Sequence, residues 1–199
     1  MSLGKVLLIA LLLLPGATMA QDQPSDFLIQ LVAAAIERTT HEVRYDGSYR
    51  RLNYPHGDVP DNIGVCSDLV IRAYRAVGVD LQRLVHEDMS INFQEYPQSW
   101  GLSRPDPNID HRRVPNLRSF LRRQKAELPI SSIGSDYHAG DLVTWMLPGN
   151  LPHIGIVAER FSDDGRRPLI VHNIGAGPEL QDLLFEYPIT GHYRYLGPR

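Results

Sequence analysis

Gly64-Val65-Cys66-Ser67-Asp68-Leu69-Val70-Ile71-Arg72-Ala73-Tyr74 holds the single cysteine of a 199-residue chain. Cys66, Leu69, Val70, Ala73, Tyr74 and Val77 recur at i, i+3, i+4, i+7, i+8 and i+11, the apolar stripe of a helix. Asp61, Asn62 and Gly64 supply loop and cap chemistry before it, and Gly78 stops it. Cys66 is thereby placed in the first turn, facing the core. The partial positive charge of a helix N-terminus favours thiolate over thiol, and cysteine nucleophiles are commonly presented this way. The bland alternative is a buried cysteine that only fills space. The rest of the chain must decide between the two.

Upstream, Ser25 is placed as the cap of a helix from Asp26 to about Thr40, with Phe27, Leu28, Leu31, Val32, Ala35 and Ile36 inward. From His41 to Gly64 the chain is rich in Tyr, Pro, Gly and Asp, and reads as an ordered loop that either lines a cleft or merely connects. Downstream, a helix is expected from Leu81 to about Phe93, then a punctuated loop through Pro107. Another helix follows, opened by Pro115 and ending near Lys125. The pattern then changes. Asp141–Met146, His153–Ala158 and Leu169–Asn173 read as strands divided by turns. Gly175-Ala176-Gly177-Pro178 breaks the third, and a last strand falls within Ile189–Leu196. Helices first and an antiparallel meander second is an α+β plan.

Composition narrows the setting. Lys5 is the only charge before residue 21, Val6–Leu14 is a short apolar run, and Ala17-Thr18-Met19-Ala20 offers small residues for cleavage. Residues 1–20 therefore read as a secretory signal peptide, too short to span a bilayer comfortably, and 21–199 as one domain. The expected location is periplasmic or secreted, with no stable membrane span after signal cleavage. Removing one Lys takes the formal net charge from -3 to -4, which gives no electrostatic footprint for nucleic acid. An exported chain with one Cys forms no internal disulfide, so its thiol is either protected by burial or kept for reactivity.

Reactivity needs partners, and the sequence offers them in order. Cys66 heads a helix, His153 opens a strand and His172 ends the next. A cysteine nucleophile needs a base to take its proton and protonate the leaving amine, and that base needs a polar group on its other ring nitrogen. The expected geometry is the Cys66 sulfur near one nitrogen of His153 and His172 at the other. His172 and Asn173 point to opposite faces of their strand, so only one can orient His153; His172 is favoured and Asn173 is the runner-up. Oxyanion donors would be the backbone N–H of Cys66 and a tyrosine hydroxyl, with Tyr54 chosen over its loop neighbours Tyr45 and Tyr49. The remaining histidines read as surface or core groups. With no His pair at i, i+4 and no second Cys, neither metal nor cofactor is expected.

Val65-Cys66-Ser67-Asp68-Leu69-Val70, Ala139-Gly140-Asp141-Leu142-Val143-Thr144-Trp145 and His153-Ile154-Gly155-Ile156-Val157 resemble, in that order, the NlpC-type cell-wall peptidases of the papain-like cysteine peptidase superfamily. A closer resemblance is to an exported bacterial family, domain-of-unknown-function family 1287. It is carried by Gly64–Asp68, Asp80-Leu81-Gln82, His86-Glu87-Asp88-Met89 and Asn108–Leu117. These resemblances imply a papain-like fold, a Cys66–His153–His172 triad and a peptidoglycan fragment or other amide as substrate. The chain departs from the peptidase pattern at Val65, where an Asp is usual, and at Asp68, where a Gly is usual. In those peptidases the flanks of the cysteine help hold the free amino end of the wall peptide. Asp68, Asn173 and the Asp110-His111-Arg112-Arg113 segment are therefore candidates for substrate contact. Arg112 or Arg113 could bind a carboxylate, or the segment could only cap and pair with itself.

The expected function is an exported cysteine hydrolase cleaving an amide bond in peptidoglycan peptides. The alternatives are a non-catalytic wall-binding module on the same fold, and an acyl hydrolase or transferase acting on lipid or ester.

Overall fold

The computed structural model of the chain describes residues 23–198. The expected signal peptide, 1–20, lies outside them. Among the described residues no helix is long and apolar enough to cross a membrane.

Among the described residues, four α-helices precede a six-stranded sheet: α1 Gln23–Arg38, α2 Cys66–Ala76, α3 Leu81–Asn92 and α4 Val114–Arg123. α1 begins two residues before Ser25, the expected cap. The loop between α1 and α2 carries a short parallel pair, β1 Arg44–Tyr45 against β2 Ile63–Gly64, with Tyr45 opposite Gly64. The sheet strands are β3 Glu127–Leu128, β4 Leu142–Leu147, β5 Leu151–Phe161, β6 Pro168–Asn173, β7 Pro178–Gln181 and β8 Ile189–Tyr193. Their order is β3-β8-β4-β5-β6-β7, every pairing antiparallel. The meander thus runs from β4 to β7, and β8 returns to the free side of β4. The class is α+β, with helices collected on one face of an antiparallel sheet.

β7 departs from expectation. The glycines at 175 and 177 do turn the chain, both at positive φ, but the turn leads straight back into a strand against β6. Pro178 is tolerated because it opens a strand at the sheet edge.

The central strands read as near-continuous apolar runs because both sheet faces are covered. Leu142, Ile154, Ile156, Val171 and Tyr193 face the helices and join Leu31, Val70, Ala73 and Tyr74 in the main core. Val143, Trp145, Val157 and Ile170 face the other way, under Tyr137, Leu183 and Leu184. Trp145 donates its indole N–H to the Leu184 carbonyl at 2.9 Å, which satisfies the one polar atom of a fully buried ring. Gly155 sits tightly against β6. A Cβ there would stand 2.6 Å from Ile170 Cγ2 and 3.0 Å from the Val171 carbonyl oxygen, so any side chain would push the strands apart.

α2 forms as its stripe dictates, and ends at Gly78 with φ 82 and a Val79 N–H to Tyr74 carbonyl bond of 2.9 Å. Its start differs from expectation. The residue before it is Val65, which has no side chain to cap with, and Asp68 reaches back to accept the Val65 N–H at 2.7 Å. That is the inner half of a capping box.

Candidate active site

The two histidines chosen from the sequence come together on neighbouring strands. Nε2 of His153 lies 3.2 Å from Nδ1 of His172, and Nε2 of His172 lies 3.0 Å from Oε1 of Gln181 on β7. The Gln181 amide nitrogen in turn donates to Glu179 at 2.9 Å. These contacts set the protons. The Glu179 carboxylate can only accept, so it orients the amide of Gln181 with its oxygen toward His172. That oxygen also can only accept, so His172 carries its proton on Nε2. Burial holds His172 down at about 4, hence neutral near pH 7, and its Nδ1 is left as an acceptor. His153 must therefore donate from Nε2, and its own Nδ1 keeps a lone pair. Burial and then the neighbouring His172 hold His153 at about 3. Asn173, the runner-up, is used elsewhere: its side-chain oxygen accepts the Gly175 N–H at 3.1 Å inside the β6–β7 turn.

Cys66 opens α2 and is only 3% exposed, in the main core beside Ile154. The backbone N–H groups of Ile154 and Ser67 and the hydroxyl of Tyr45 lie near its thiol and favour the thiolate. The β5–β6 pairing runs from Phe161 back to Ile156 and goes no further, so the Ile154 N–H is free to face the sulfur where the strands part. Burial pushes the thiol up to about 11 despite these donors, with the Asp68 carboxylate acting in the same direction. Successive side chains alternate across a strand. Ile154 therefore points to Cys66, and the His153 ring stands across β5 beside Trp145, 5.9 Å between centroids.

The tyrosine beside the thiol is Tyr45, not Tyr54. The β1–β2 pairing sets Tyr45 opposite Gly64, two residues before Cys66, and burial and Cys66 together push its hydroxyl upward. Tyr54 is carried away because Asp80 and Gln82 of the α3 start bind the N–H groups of His56 and Gly57 at 2.9 and 2.8 Å. Its ring packs on His86 of α3, 5.0 Å away.

Asp68, His111 and Arg112 are also corrected as substrate contacts, because they are buried and, for the pair, fully engaged. Asp68 and Arg112 are 2% and 6% exposed and form a bidentate pair, Nε to Oδ1 at 2.8 Å and Nη2 to Oδ2 at 2.9 Å. Arg112 also donates to the carbonyls of Ser48 and Asp46 at 3.1 and 3.2 Å. Its own carbonyl accepts the Ser67 hydroxyl at 2.7 Å. It ties the loop after Tyr45 to the first turn of α2. His111 is buried beside it and held at about 3 by burial and then by Arg112, so it is neutral near pH 7. Among the described residues no three of His, Cys, Asp and Glu cluster in a way that could hold a metal ion.

Residues 32–195 match the family described as Domain of unknown function (DUF1287). The chain belongs to that family. Over 151 residues it is 58% identical to a protein of Escherichia coli (strain K12) described as "Uncharacterized protein YijF", a match covering 76% of this chain and 73% of the other. Among solved structures, it is similar to a Staphylococcus aureus protein described as similar to lipoprotein, NLP/P60 family, with 12% identity and a TM-score of 0.42. That match covers 94% of this chain, which spans 46% of the other.

Tyr45, Gln181 and Glu179 were missed in the sequence. Tyr45 was one of three equivalent loop tyrosines. Gln181 and Glu179 sit on the strand hidden behind the Gly-Pro break, although their i, i+2 spacing next to a histidine strand is the signal a hairpin reading would have used.

Proposed function

We propose that this member of the family is an exported, periplasmic or secreted, cysteine hydrolase of papain-like fold that cleaves an amide bond in peptidoglycan peptides. The observation that carries the reading is the chain Glu179–Gln181–His172–His153, which leaves Nδ1 of His153 as a neutral, oriented base. In the reaction, His153 Nδ1, brought to the sulfur past the end of the β5–β6 pairing, takes the Cys66 thiol proton. As the proton leaves, the sulfur attacks the amide carbonyl and a C–S bond forms. The oxyanion is held by the Cys66 N–H at the α2 start and by the Tyr45 hydroxyl. The imidazolium then protonates the amine, the C–N bond breaks and a thioester remains. Water, deprotonated by His153, attacks the thioester; the C–S bond breaks, the acid is freed and the imidazolium returns its proton to the leaving sulfur. With thiol near 11 and imidazole near 3, the resting pair is neutral, so proton transfer accompanies attack rather than preceding it.

The deciding experiment is mass spectrometry of purified wall fragments incubated with the wild-type protein and with Cys66→Ala and His153→Ala. New fragments from wild type alone are expected; equal products from Cys66→Ala would overturn the nucleophile. The buried, raised thiol specifically favours a second reading, a wall-binding module without turnover. There, Cys66 would resist iodoacetamide in the folded protein, Cys66→Ser would destabilise more than Cys66→Ala, and His153→Ala would leave thiol reactivity unchanged.

A further inference from the structure

A groove of about 340 Å³ opens beside the first turn of α2, lined by Tyr49, Val65, Trp100, Ile109, Arg112 and Arg113. It begins at the residue preceding Cys66. Two aromatic rings form its walls and two arginines its polar surface, and no carboxylate lines it.

The nearby acids are all committed. Asp68 is bound by Arg112. Asp46 accepts from the Ser48 N–H and from Arg44 and Arg50. Asp106 accepts from the Tyr49 hydroxyl and from Asn108. Asp110 is buried and accepts the Asp106 N–H. No carboxylate lines the groove to receive an ammonium group. Of the two arginines, Arg112 is spent on Asp68 and two carbonyls. Arg113 is less committed: among the described residues its one hydrogen bond runs from Nη1 to Asp110 at 3.3 Å, and its guanidinium lies 4.2 Å from the Trp100 ring centroid. A guanidinium held over an aromatic wall still has donors to offer a planar, bidentate acceptor.

We infer that this groove binds a carboxylate-bearing ligand through Arg113, with the aliphatic part of the ligand against Trp100 and Tyr49. The inference rests on the proposed hydrolase reading in treating the groove as the substrate side of Cys66. It makes the substrate a peptide with a free carboxylate near the cleaved bond, not one gripped by its free amine. The α2 N-terminus adds a field of the same sign.

The test uses wild-type protein and two neutral-backbone probes, N-acetyl-D-alanyl-D-alanine and its C-terminal carboxamide. Binding is read from Trp100 emission, since Trp145 is fully buried and hydrogen-bonded. The acid should bind about ten-fold more tightly than the amide, a charge-assisted bidentate contact against a neutral one, and the preference should shrink as salt is raised. Arg113→Gln should bring the two within about two-fold, and Arg113→Lys should restore part of the difference. Equal binding of acid and amide by the wild type, no binding of either, or a preference that survives in Arg113→Gln would each overturn the inference. The titration uses no thiol chemistry. Its failure thus leaves the hydrolase standing, while loss of hydrolysis without loss of acid preference would remove the hydrolase alone.

Discussion

Gln181 Oε1 accepts a hydrogen bond from His172 Nε2 at 3.0 Å, and that contact reaches His153 through the tautomer it imposes. In Gln181→Leu the constraint is lost, and His172 can carry its proton on either nitrogen. Nitrogen NMR of the wild type should show His153 protonated at Nε2 and bare at Nδ1; the variant should show a mixture. Turnover should fall about ten-fold, the worth of one orienting hydrogen bond. A wild-type His153 protonated at Nδ1 would contradict the relay directly.

Tyr45 and Tyr54 give opposite expectations. Tyr45→Phe removes the hydroxyl beside the thiol, and should lower kcat by about ten- to a hundred-fold with stability nearly unchanged, as for a lost oxyanion donor. Tyr54→Phe, nine residues on but packed over α3 on His86, should leave kcat alone. Steady-state kinetics on both variants checks the pair, and equal losses would show that the hydroxyl beside the thiol has no special role.

Periodicity made α2, Cys66 and the strands β4 to β6 legible, because a buried stripe and a doubly covered strand each leave a local signature. The His153–His172 contact followed from strand adjacency alone. What could not be read was set by long-range pairing. The choice of Tyr45 over Tyr54 depends on a two-residue parallel pair and on Asp80 and Gln82 holding a distant loop. Asp68 and Arg112 are 44 residues apart, and only the fold reveals that each is the other's counter-charge. β7 was lost because glycine and proline mark a turn without saying that a strand resumes immediately after it.

That counter-charge makes a stability prediction. Arg112→Ala would strand the Asp68 carboxylate in the core and free the carbonyls of Asp46 and Ser48, at a cost of about 3–5 kcal/mol in urea unfolding, the usual price of half a buried pair. Arg112→Lys should recover only part, because one ammonium cannot serve the four acceptors that the guanidinium fork reaches. Removing both partners in Arg112→Met with Asp68→Leu should cost clearly less than Arg112→Ala does alone. If the double variant is the least stable, the pair is not a compensated charge.

Acid should unfold this protein earlier than its carboxylates require. Burial is the first cause of the low values of His111, His153 and His172, at about 3, 3 and 4, with Arg112 assisting at His111 and His172 at His153. In the unfolded chain each would titrate near 6.5. As pH falls below that value the unfolded state takes up protons that the folded state refuses until pH 4 or lower. The unfolded chain therefore binds more protons throughout that window, and stability falls with pH there. Above the unfolded value both states are neutral and these groups add no slope. A single such imidazole is worth roughly 3–5 kcal/mol once the window is crossed. Asp141 acts in a separate, lower window. Burial opposes its charge, but hydrogen bonds from His192 and Arg194 outweigh burial and hold it below the ordinary carboxylate range, so its contribution is lost only at stronger acidity. The urea midpoint should be level from pH 8 to 7 and then fall steeply between about pH 6 and 4.5. His172→Gln, which keeps a side chain able to bond His153 but cannot be protonated, should flatten that fall by up to one proton's worth of slope. A midpoint that does not move between pH 7 and 5 would mean that these imidazoles are neither buried nor neutral in the folded protein.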